Sequence, residues 1–349
     1  MRAAVIGGTG FLGPEVVRQL VVAGWAVAIF HRGTHEADLP PSVLRLHGDR
    51  GELASFAGAF RSFAPDVVVD MRGMTEEHAR QLVGTFTGIA KRSVVVSSAD
   101  VYRAYGRLNG TEPGPPDPVP LREDAPLRER LYADRNARPH DRTTESLDRY
   151  DKLLVERCVS SEPGLPATIL RLGMVHGPRS YRHYPFVKRM VDGRPGIVLA
   201  EEWAGWRGTL AYSENVAAAI VLAASRPEAH GVYNLGDPAP TAIADLVASI
   251  ARAAGWNGRV LRVPADQLPE SMRPGAALAQ ELILDSRRIR KELGFREPVS
   301  PESGVRRAVE WMLRHPPTSD DPMGRLELDY HAEDGILGAN PAVAPARHP

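Results

Sequence analysis

Residues 3–13 decide the fold, and they read Ala-Ala-Val-Ile-Gly-Gly-Thr-Gly-Phe-Leu-Gly. A short apolar stretch that leads into closely spaced glycines and then into the amphipathic segment 14–21 predicts a strand, a tight turn and a helix. Glycines at this spacing let the backbone turn sharply and approach a pyrophosphate, while the N–H groups of the helix face the anion. The stretch therefore predicts a dinucleotide-binding turn. Its predicted contacts are Gly7, Thr9, Gly10, Phe11, Leu12 and Gly13.

Apolar runs alternate with helical patterns through the first half of the chain. The runs at 26–30, 43–47, 66–70, 93–96 and 167–172 predict strands, and the segments 52–63, 76–86 and 146–161 predict helices. Such an alternation indicates an α/β fold, a Rossmann-type doubly wound parallel sheet.

Domain boundaries follow from changes in composition and element length. We expect a dinucleotide-binding domain at 1–172, in which the Pro- and Gly-rich segment 108–142 is a long loop over the ligand cleft. Shorter elements at 173–315 predict mainly a smaller C-terminal substrate lobe, from which some segments return to the first domain. The polar, Pro-rich segment 316–349 is predicted to be a tail that is at best partly ordered.

Bulk composition narrows the class of partner. The 349 residues include 43 basic and 43 acidic side chains, so no overall field favours nucleic acid or a membrane surface. The one cysteine, Cys158, excludes disulfides within the chain, and no cysteine or histidine cluster has metal-ligand spacing. We see no leader and no apolar run near the roughly 20 residues of a membrane span. The sequence therefore predicts a cytoplasmic protein that binds a small molecule.

The end of the second predicted strand bears on the choice of cofactor. A carboxylate that binds the ribose of NAD is expected about twenty residues past the glycines, but His31 and Arg32 stand there. Because a cation suits the 2′-phosphate of NADP, we expect NADP(H) to be favoured, with NAD(H) as the alternative. The remaining predicted cofactor contacts are Asp49, Arg50, Met71 and Ser97.

Six stretches together carry a family resemblance. They lie at 7–13, 48–49, 95–102, 152–156, 171–178 and 231–236. In order and spacing the chain resembles the extended short-chain dehydrogenase/reductase family, the NAD-dependent epimerase/dehydratase group. The resemblance implies hydride exchange between a nicotinamide and a carbon that bears oxygen, with the cofactor binding Lys152 and the substrate oxygen bonded to Ser98. It also implies a tyrosine four residues before the lysine as proton donor or acceptor.

That tyrosine position holds Asp148, and Tyr150 stands two residues before Lys152. On one regular helix Asp148 and Lys152 share a face, whereas Tyr150 and Lys152 do not. Three hypotheses stay open. Asp148 acts as the acid or base after burial raises its pKa; a group from the loop or a distorted helix start replaces the tyrosine; or the protein binds cofactor without turnover. The candidates for the second hypothesis are Tyr102, Tyr132, His140 and Tyr150.

The resemblance also implies substrate contacts and a reaction class. The predicted contacts are Arg72, Tyr102, Arg179, Tyr184 and Arg207. We expect an NADP(H)-dependent oxidoreductase that acts on a hydroxyl or carbonyl carbon of a small polar substrate, such as a sugar or sugar nucleotide. The alternatives are an epimerase or dehydratase that recycles its cofactor, and a cofactor-sensing or RNA-associated binding protein. A homodimer is expected by analogy.

Overall fold

A seven-stranded sheet forms the centre of the protein in a computed structural model that describes residues 1–34, 37–133 and 148–339. Its strands are β1 (Arg2–Ile6), β2 (Ala26–His31), β3 (Leu44–His47), β4 (Val67–Asp70), β5 (Arg92–Ser98), β6 (Ala167–Leu172) and β11 (Gly231–Leu235). Their order is β3-β2-β1-β4-β5-β6-β11, and all neighbours are parallel. The predicted Rossmann-type sheet is confirmed.

Helices cover both faces of this sheet. In chain order, the described helices of the sheet and of the lobe beside it are α1 (Gly13–Val22), α2 (Ala57–Phe63), α3 (Glu76–Phe86), α4 (Arg103–Leu108), α5 (Lys152–Ser160), α6 (Tyr184–Val191), α7 (Glu201–Gly205), α8 (Ser213–Ser225), α9 (Ile243–Ala254), α10 (Arg287–Leu293), α11 (Pro301–Arg314) and α12 (Tyr330–Ala339). Alternate residues of one strand enter different cores: Val94 packs with α1 and α8, and Val95 packs with α2, α3 and α5. Burial on both faces explains why the strands are apolar without interruption.

Two predicted helices differ from the structure. The segment predicted as one helix at 52–63 is a 3₁₀ helix, Arg50–Phe56, followed by α2. The helix predicted at 146–161 is also wrong at its start: residues 146 and 147 lie outside the described part of the chain, and α5 begins only at Lys152. Asp151 stops the helix from starting earlier because its carboxylate caps the first turn by accepting a hydrogen bond from Leu153 N at 2.9 Å.

Short strands build the lobe beside the sheet. They are β7 (Met174–His176), β8 (Gly196–Ala200), β9 (Arg207–Gly208), β10 (Leu210–Tyr212), β12 (Thr241–Ala242) and β13 (Arg259–Val263). β10 pairs with β7, β12 with β9, and β13 with β8. The apolar core of the lobe includes Val187, Val247 and Val309, and it continues into Val101 and Leu153 beside the end of β5. The lobe is therefore packed directly against the segments that carry Ser98 and Lys152.

The last described helix, α12, is attached to this lobe. Its Glu333 is 1% exposed and accepts a hydrogen bond from Arg189 Nε, while Arg194 pairs with Asp334. Leu337 completes an apolar cluster with β8. Ion pairs and apolar contacts together hold α12 against the lobe. In the described part of the chain, no helix has the length and apolar character needed to cross a membrane.

Candidate active site

The glycine turn between β1 and α1 has the shape of a phosphate cradle. Gly7 has a φ of +88°, which only glycine adopts without strain. A Cβ on Gly13 would lie 2.4 Å from the backbone carbon of Gly8, so α1 packs this close only because the side chain is absent. The N-terminus of α1 faces the turn and favours an anion. The residues present therefore fit the diphosphate of a dinucleotide.

Arg72 follows β4 and lies over this turn. A Cβ on Gly7 would approach Arg72 Cγ to 2.3 Å, so the aliphatic part of the arginine occupies the space beside the glycine. The backbone N–H of Arg72 donates to Asp70 Oδ1 at 2.9 Å, which fixes the start of the side chain. The residue is exposed. Arg72 was predicted to contact substrate, whereas the structure places its stem against the glycine turn.

Two histidines meet at the end of β2. The rings of His31 and His47 have centroids 4.5 Å apart, and Gly33 N donates to His31 Nδ1 at 3.2 Å. His31 is buried, while Arg32 is exposed. The exposed guanidinium is thus open to a ligand beyond β2, where the ribose end of a dinucleotide is expected.

The other predicted cofactor residues already hold contacts within the protein. Asp49 caps the 3₁₀ helix by accepting from Gly51 N at 2.8 Å. Arg50 donates to both carboxylate oxygens of the buried Asp70, at 3.1 and 2.6 Å. Met71 packs in the core between the sheet and α1. These side chains shape the border of the cofactor cleft.

Ser97 and Ser98 end β5 on opposite faces of the sheet. Ser97 is 2% exposed and donates its hydroxyl to Glu156, so it stabilises α5 and its side chain is not directed to the cleft. Ser98 is half-buried, and its Oγ accepts from Asp100 N at 3.3 Å. Of the two hydroxyls, that of Ser98 is the one at the carboxyl edge, where ligands of parallel sheets bind.

Lys152 begins α5 and reaches back to the sheet. Its Nζ donates to Gly73 O and Val96 O, each at 2.8 Å, and the residue is 4% exposed. The ammonium group is therefore fixed between the ends of β4 and β5, and β4 neighbours β1, the strand that leads into the glycine turn. This is a position from which a cation can hold a ribose.

Tyr150 precedes α5 and is not part of it. Its side chain is 3% exposed, and its hydroxyl donates to Asp100 Oδ2 at 2.5 Å. Because Tyr150 lies outside the helix, the 200° separation expected for residues i and i+2 does not apply. Tyr150 contacts Asp100 just after β5 and Lys152 contacts Val96 within β5, so the regular helix on which the prediction depended is absent here.

Asp148 does not share a helix face with Lys152. It lies before the residue at which α5 begins, and its side chain is exposed. The hypothesis of Asp148 as a buried acid needs both features, so the structure argues against it. His140 lies outside the described residues. Tyr132 donates its backbone N–H to Asp151 Oδ2 at 2.7 Å.

A buried ion pair ties three segments together around Tyr150. Arg128 Nη2 donates to Asp151 Oδ1 at 3.0 Å, and the two residues are 3% and 0% exposed. Arg128 Nε also donates to the backbone carbonyl of Asp100. A closed ring of contacts thereby joins Asp100, Arg128, Asp151 and Tyr150. The segment predicted as a loose loop is fixed to the site at this point.

Tyr102 belongs to a different network. Its hydroxyl donates to Asn234 Oδ1 at 2.6 Å, and Arg171 lies over its ring at 4.8 Å. Burial raises the pKa of Tyr102 to about 12. Arg171 in turn donates to Glu156 at 2.7 Å. Tyr102 is fully buried, and its contacts with Arg171 and Asn234 join it to both β6 and β11.

The predicted substrate residues of the lobe are dispersed. Arg179 is exposed and has a φ of +71°, and the half-buried Tyr184 lies edge-on to Tyr181. Arg207 is exposed and forms two hydrogen bonds with Glu281, at 2.6 and 2.7 Å. The structure does not bring these three side chains into contact.

Two buried histidines lie in the same lobe, His176 as the last residue of β7 and His183 just before α6. His176 and His183 have ring centroids 5.0 Å apart, and neither ring nitrogen of His176 has a hydrogen-bond partner among the described residues. Burial lowers the pKa of His176 to about 3, and the Arg182 cation acts in the same direction. His176 is therefore neutral at ordinary pH, in agreement with a packed histidine.

Solved structures with this fold span most of the chain. A UDP-glucose 4-epimerase from Thermus thermophilus, solved with NAD, has a TM-score of 0.64 at 22% identity and covers 90% of this chain and 99% of its own. The enzyme WbmG from Bordetella bronchiseptica, also solved with NAD, has a TM-score of 0.67 at 18% identity and covers 90% and 94%. No protein-family model matches the chain.

Two curated relatives align over nearly the whole sequence. A 2′-dehydrokanamycin reductase from Streptomyces kanamyceticus is 24% identical over 343 residues, which are 93% of this chain and 88% of the relative. A dTDP-glucose 4,6-dehydratase from Streptomyces griseus is 25% identical and covers 89% and 94%. Over most of its length the chain is thus similar to a reductase, a dehydratase and an NAD-bound epimerase.

This similarity supports the resemblance and the prediction of an enzyme, and the solved structures confirm the fold. It does not explain the replaced tyrosine. The sequence analysis missed three residues around that replacement: Asp100, Arg128 and Asp151. Of these, only Asp151 left a local signal, because an aspartate directly before a helical run is a favourable N-cap.

Proposed function

We propose that the protein is a nicotinamide-dependent oxidoreductase that acts on a hydroxyl or carbonyl carbon of a small polar substrate. The observation that carries the proposal is the fixed position of Lys152, whose buried ammonium group joins the ends of β4 and β5. Ser98 lies at the same edge and would bond the substrate oxygen. The geometry thus supports a cofactor and a reacting oxygen side by side.

Residues of the first domain would hold the cofactor. The turn at Gly7 and Gly13 would take the diphosphate, Lys152 would bind the ribose near the nicotinamide, and Arg72 would lie along the diphosphate rather than on the substrate. When bound, the nicotinamide supplies or accepts the hydride. The protein contributes position, a bond to the substrate oxygen and a route for the proton.

We further propose that NADP is preferred to NAD. The exposed Arg32 is the first residue after β2, and the chain has no carboxylate at 31–34 that would repel a 2′-phosphate. The solved relatives named above contain NAD, so the preference rests on Arg32 itself. A guanidinium matches a phosphate in both charge and geometry.

For the substrate we propose a sugar or a sugar nucleotide. The names of the relatives support this class, since they include a 2′-dehydrokanamycin reductase, a dTDP-glucose dehydratase and a UDP-glucose epimerase. Arg179 and Tyr184 are our candidates for substrate contacts because each presents part of its side chain to solvent. Arg207 would contact a substrate only after its ion pair with Glu281 breaks.

A panel of keto and hydroxy sugars, free and nucleotide-linked, tests the proposal. We expect a net change in nicotinamide absorbance with one class of these compounds. The second candidate function, an epimerase or dehydratase, is favoured by the names of two relatives and predicts altered sugar products without a net absorbance change. Failure to bind either nicotinamide nucleotide would refute both. The homodimer and the cytoplasmic location stay predictions.

A further inference from the structure

Asp100 lies next to the reacting edge but has no assigned role. It is 6% exposed, two residues after Ser98, and its backbone N–H donates to the Ser98 hydroxyl. Its side chain accepts the hydroxyl proton of Tyr150 at 2.5 Å. Asp100 therefore contacts both the Ser98 hydroxyl and the Tyr150 hydroxyl, which the proposed reaction would use.

The carboxylate of Asp100 is poorly compensated for a buried charge. Its Oδ1 has no hydrogen-bond partner among the described residues, and the nearby Arg128 donates to its backbone carbonyl instead. Buried carboxylates are normally paired with a cation or fully hydrogen-bonded. Among the described residues, the one side-chain donor to this carboxylate is the Tyr150 hydroxyl.

We propose, on the basis of the proposed function, that Asp100 is a positioning residue that holds the Tyr150 hydroxyl near Ser98 and exchanges a proton with it. In the oxidative direction the substrate O–H bond breaks and a new O–H bond forms on Tyr150 Oη. At the same time the original Tyr150 O–H bond breaks, and its proton moves to Asp100 Oδ2. A bound nicotinamide nucleotide would supply the hydride acceptor, and in the reductive direction each proton transfer would run in reverse.

In this arrangement, Tyr150 and Asp100 together take the role that the family pattern gives to a single tyrosine. Tyr150 reaches the site because Asp151 starts α5 late and leaves Tyr150 outside the helix. The ring through Arg128 and Asp151 then fixes the backbone on both sides of the pair. Asp148, which stands at the tyrosine position of the family pattern, is exposed.

The test compares two isosteric variants with a matched control pair. Asp100→Asn keeps an acceptor for Tyr150 but cannot take its proton, and Tyr150→Phe removes the hydroxyl alone. Glu292→Gln is the control, because Glu292 accepts from the buried Tyr233 at 3.1 Å in the same type of pair far from Ser98. We expect kcat to fall at least about 100-fold in the first two variants, the size typical of general acid–base catalysis, with unchanged NADP affinity.

A second readout needs no cofactor. Alkaline titration of tyrosine absorbance, with Tyr150 assigned by subtracting Tyr150→Phe, reports the charge beside that hydroxyl. Because a neighbouring carboxylate opposes formation of tyrosinate, we expect Tyr150 in Asp100→Asn to ionise about one pH unit lower or more. Arg128, Asp151 and Lys152, the other charged groups on the packed segments, are unchanged in all variants.

The outcomes separate this proposal from the proposed function. Equal losses in Asp100→Asn, Tyr150→Phe and the double variant would support a pair that acts as a unit. Full kcat in Asp100→Asn, or an unshifted titration of Tyr150, would overturn the role of Asp100 while leaving the oxidoreductase intact. Absence of hydride exchange in the unaltered protein would instead overturn the proposed function.

Discussion

The glycine turn and the start of α5 are the two halves of the proposed site, and they are built in different ways. The turn is local, since residues within 3–13 determine its path and Gly7 and Gly13 remove the side chains that would block it. The start of α5 depends on Arg128 and Asp100, which lie 23 and 50 residues from their partners Asp151 and Tyr150. A local motif can thus persist while the reacting half is rebuilt.

We expect the largest effect from Arg128→Met, which removes the buried ion pair with Asp151 at the start of α5. Removal of one partner leaves the fully buried Asp151 uncompensated, and such losses amount to about 3–5 kcal/mol. We expect the free energy of unfolding to fall by this amount in chemical denaturation. Arg149→Met, at an exposed ion pair with Glu77, is the control and should change it by under about 1 kcal/mol. Equal losses of unfolding free energy in the two variants would show that the Arg128–Asp151 ion pair does not stabilise the fold.

Acid should destabilise the protein through His176, which lies in the lobe and in neither half of the site. Its folded-state pKa of about 3 lies below the unfolded value of 6.5, so the unfolded chain binds more protons between these values and stability falls as pH decreases. We expect this group to remove about 1.4 kcal/mol per pH unit between roughly pH 6 and 4. His176→Leu should flatten that slope in denaturation at several pH values. The exposed His230→Leu should leave it unchanged. Because burial also lowers the pKa of His183, part of the slope should remain in His176→Leu, and a slope equal to that of the unaltered protein would contradict the assignment.

Gly13→Ala tests the cofactor half alone. The new Cβ would meet the backbone of Gly8, and forced repacking of this kind costs about 1–3 kcal/mol. We expect NADP affinity to fall by a corresponding factor, measured by fluorescence titration. Gly24→Ala has open space around its Cβ but a φ of +81°, so it controls for backbone strain outside the turn. Unchanged NADP binding in Gly13→Ala would show that the turn is not the diphosphate site.

The smallest effect concerns the choice of nucleotide. Arg32→Asp replaces an exposed cation by an anion, which should weaken NADP and favour NAD by roughly tenfold, or about 1.4 kcal/mol. Comparison of the two dissociation constants in both proteins measures this. An unchanged ratio would remove the basis for the NADP preference without affecting the glycine turn.

Sequence reasoning succeeded where the determinant is short. The parallel Rossmann-type sheet and the strand, turn and helix around the glycines follow from apolar runs and closely spaced glycines, because both act over a few residues. It failed at α5 because helical periodicity cannot show where a helix starts, whereas the Asp151 cap does. The partners of Tyr150 and Lys152 come from distant strands and backbone carbonyls, which leave no spacing pattern in the chain.

The attachment of α12 has a practical consequence for handling the protein. Leu337 covers Val198 and Ala200 of β8, and Glu333 is buried against Arg189. A truncation at residue 329 would therefore expose apolar side chains and strand edges to solvent, the surface from which aggregation starts. Purification tags and trimmed expression clones are best designed so that Tyr330–Ala339 is kept whole.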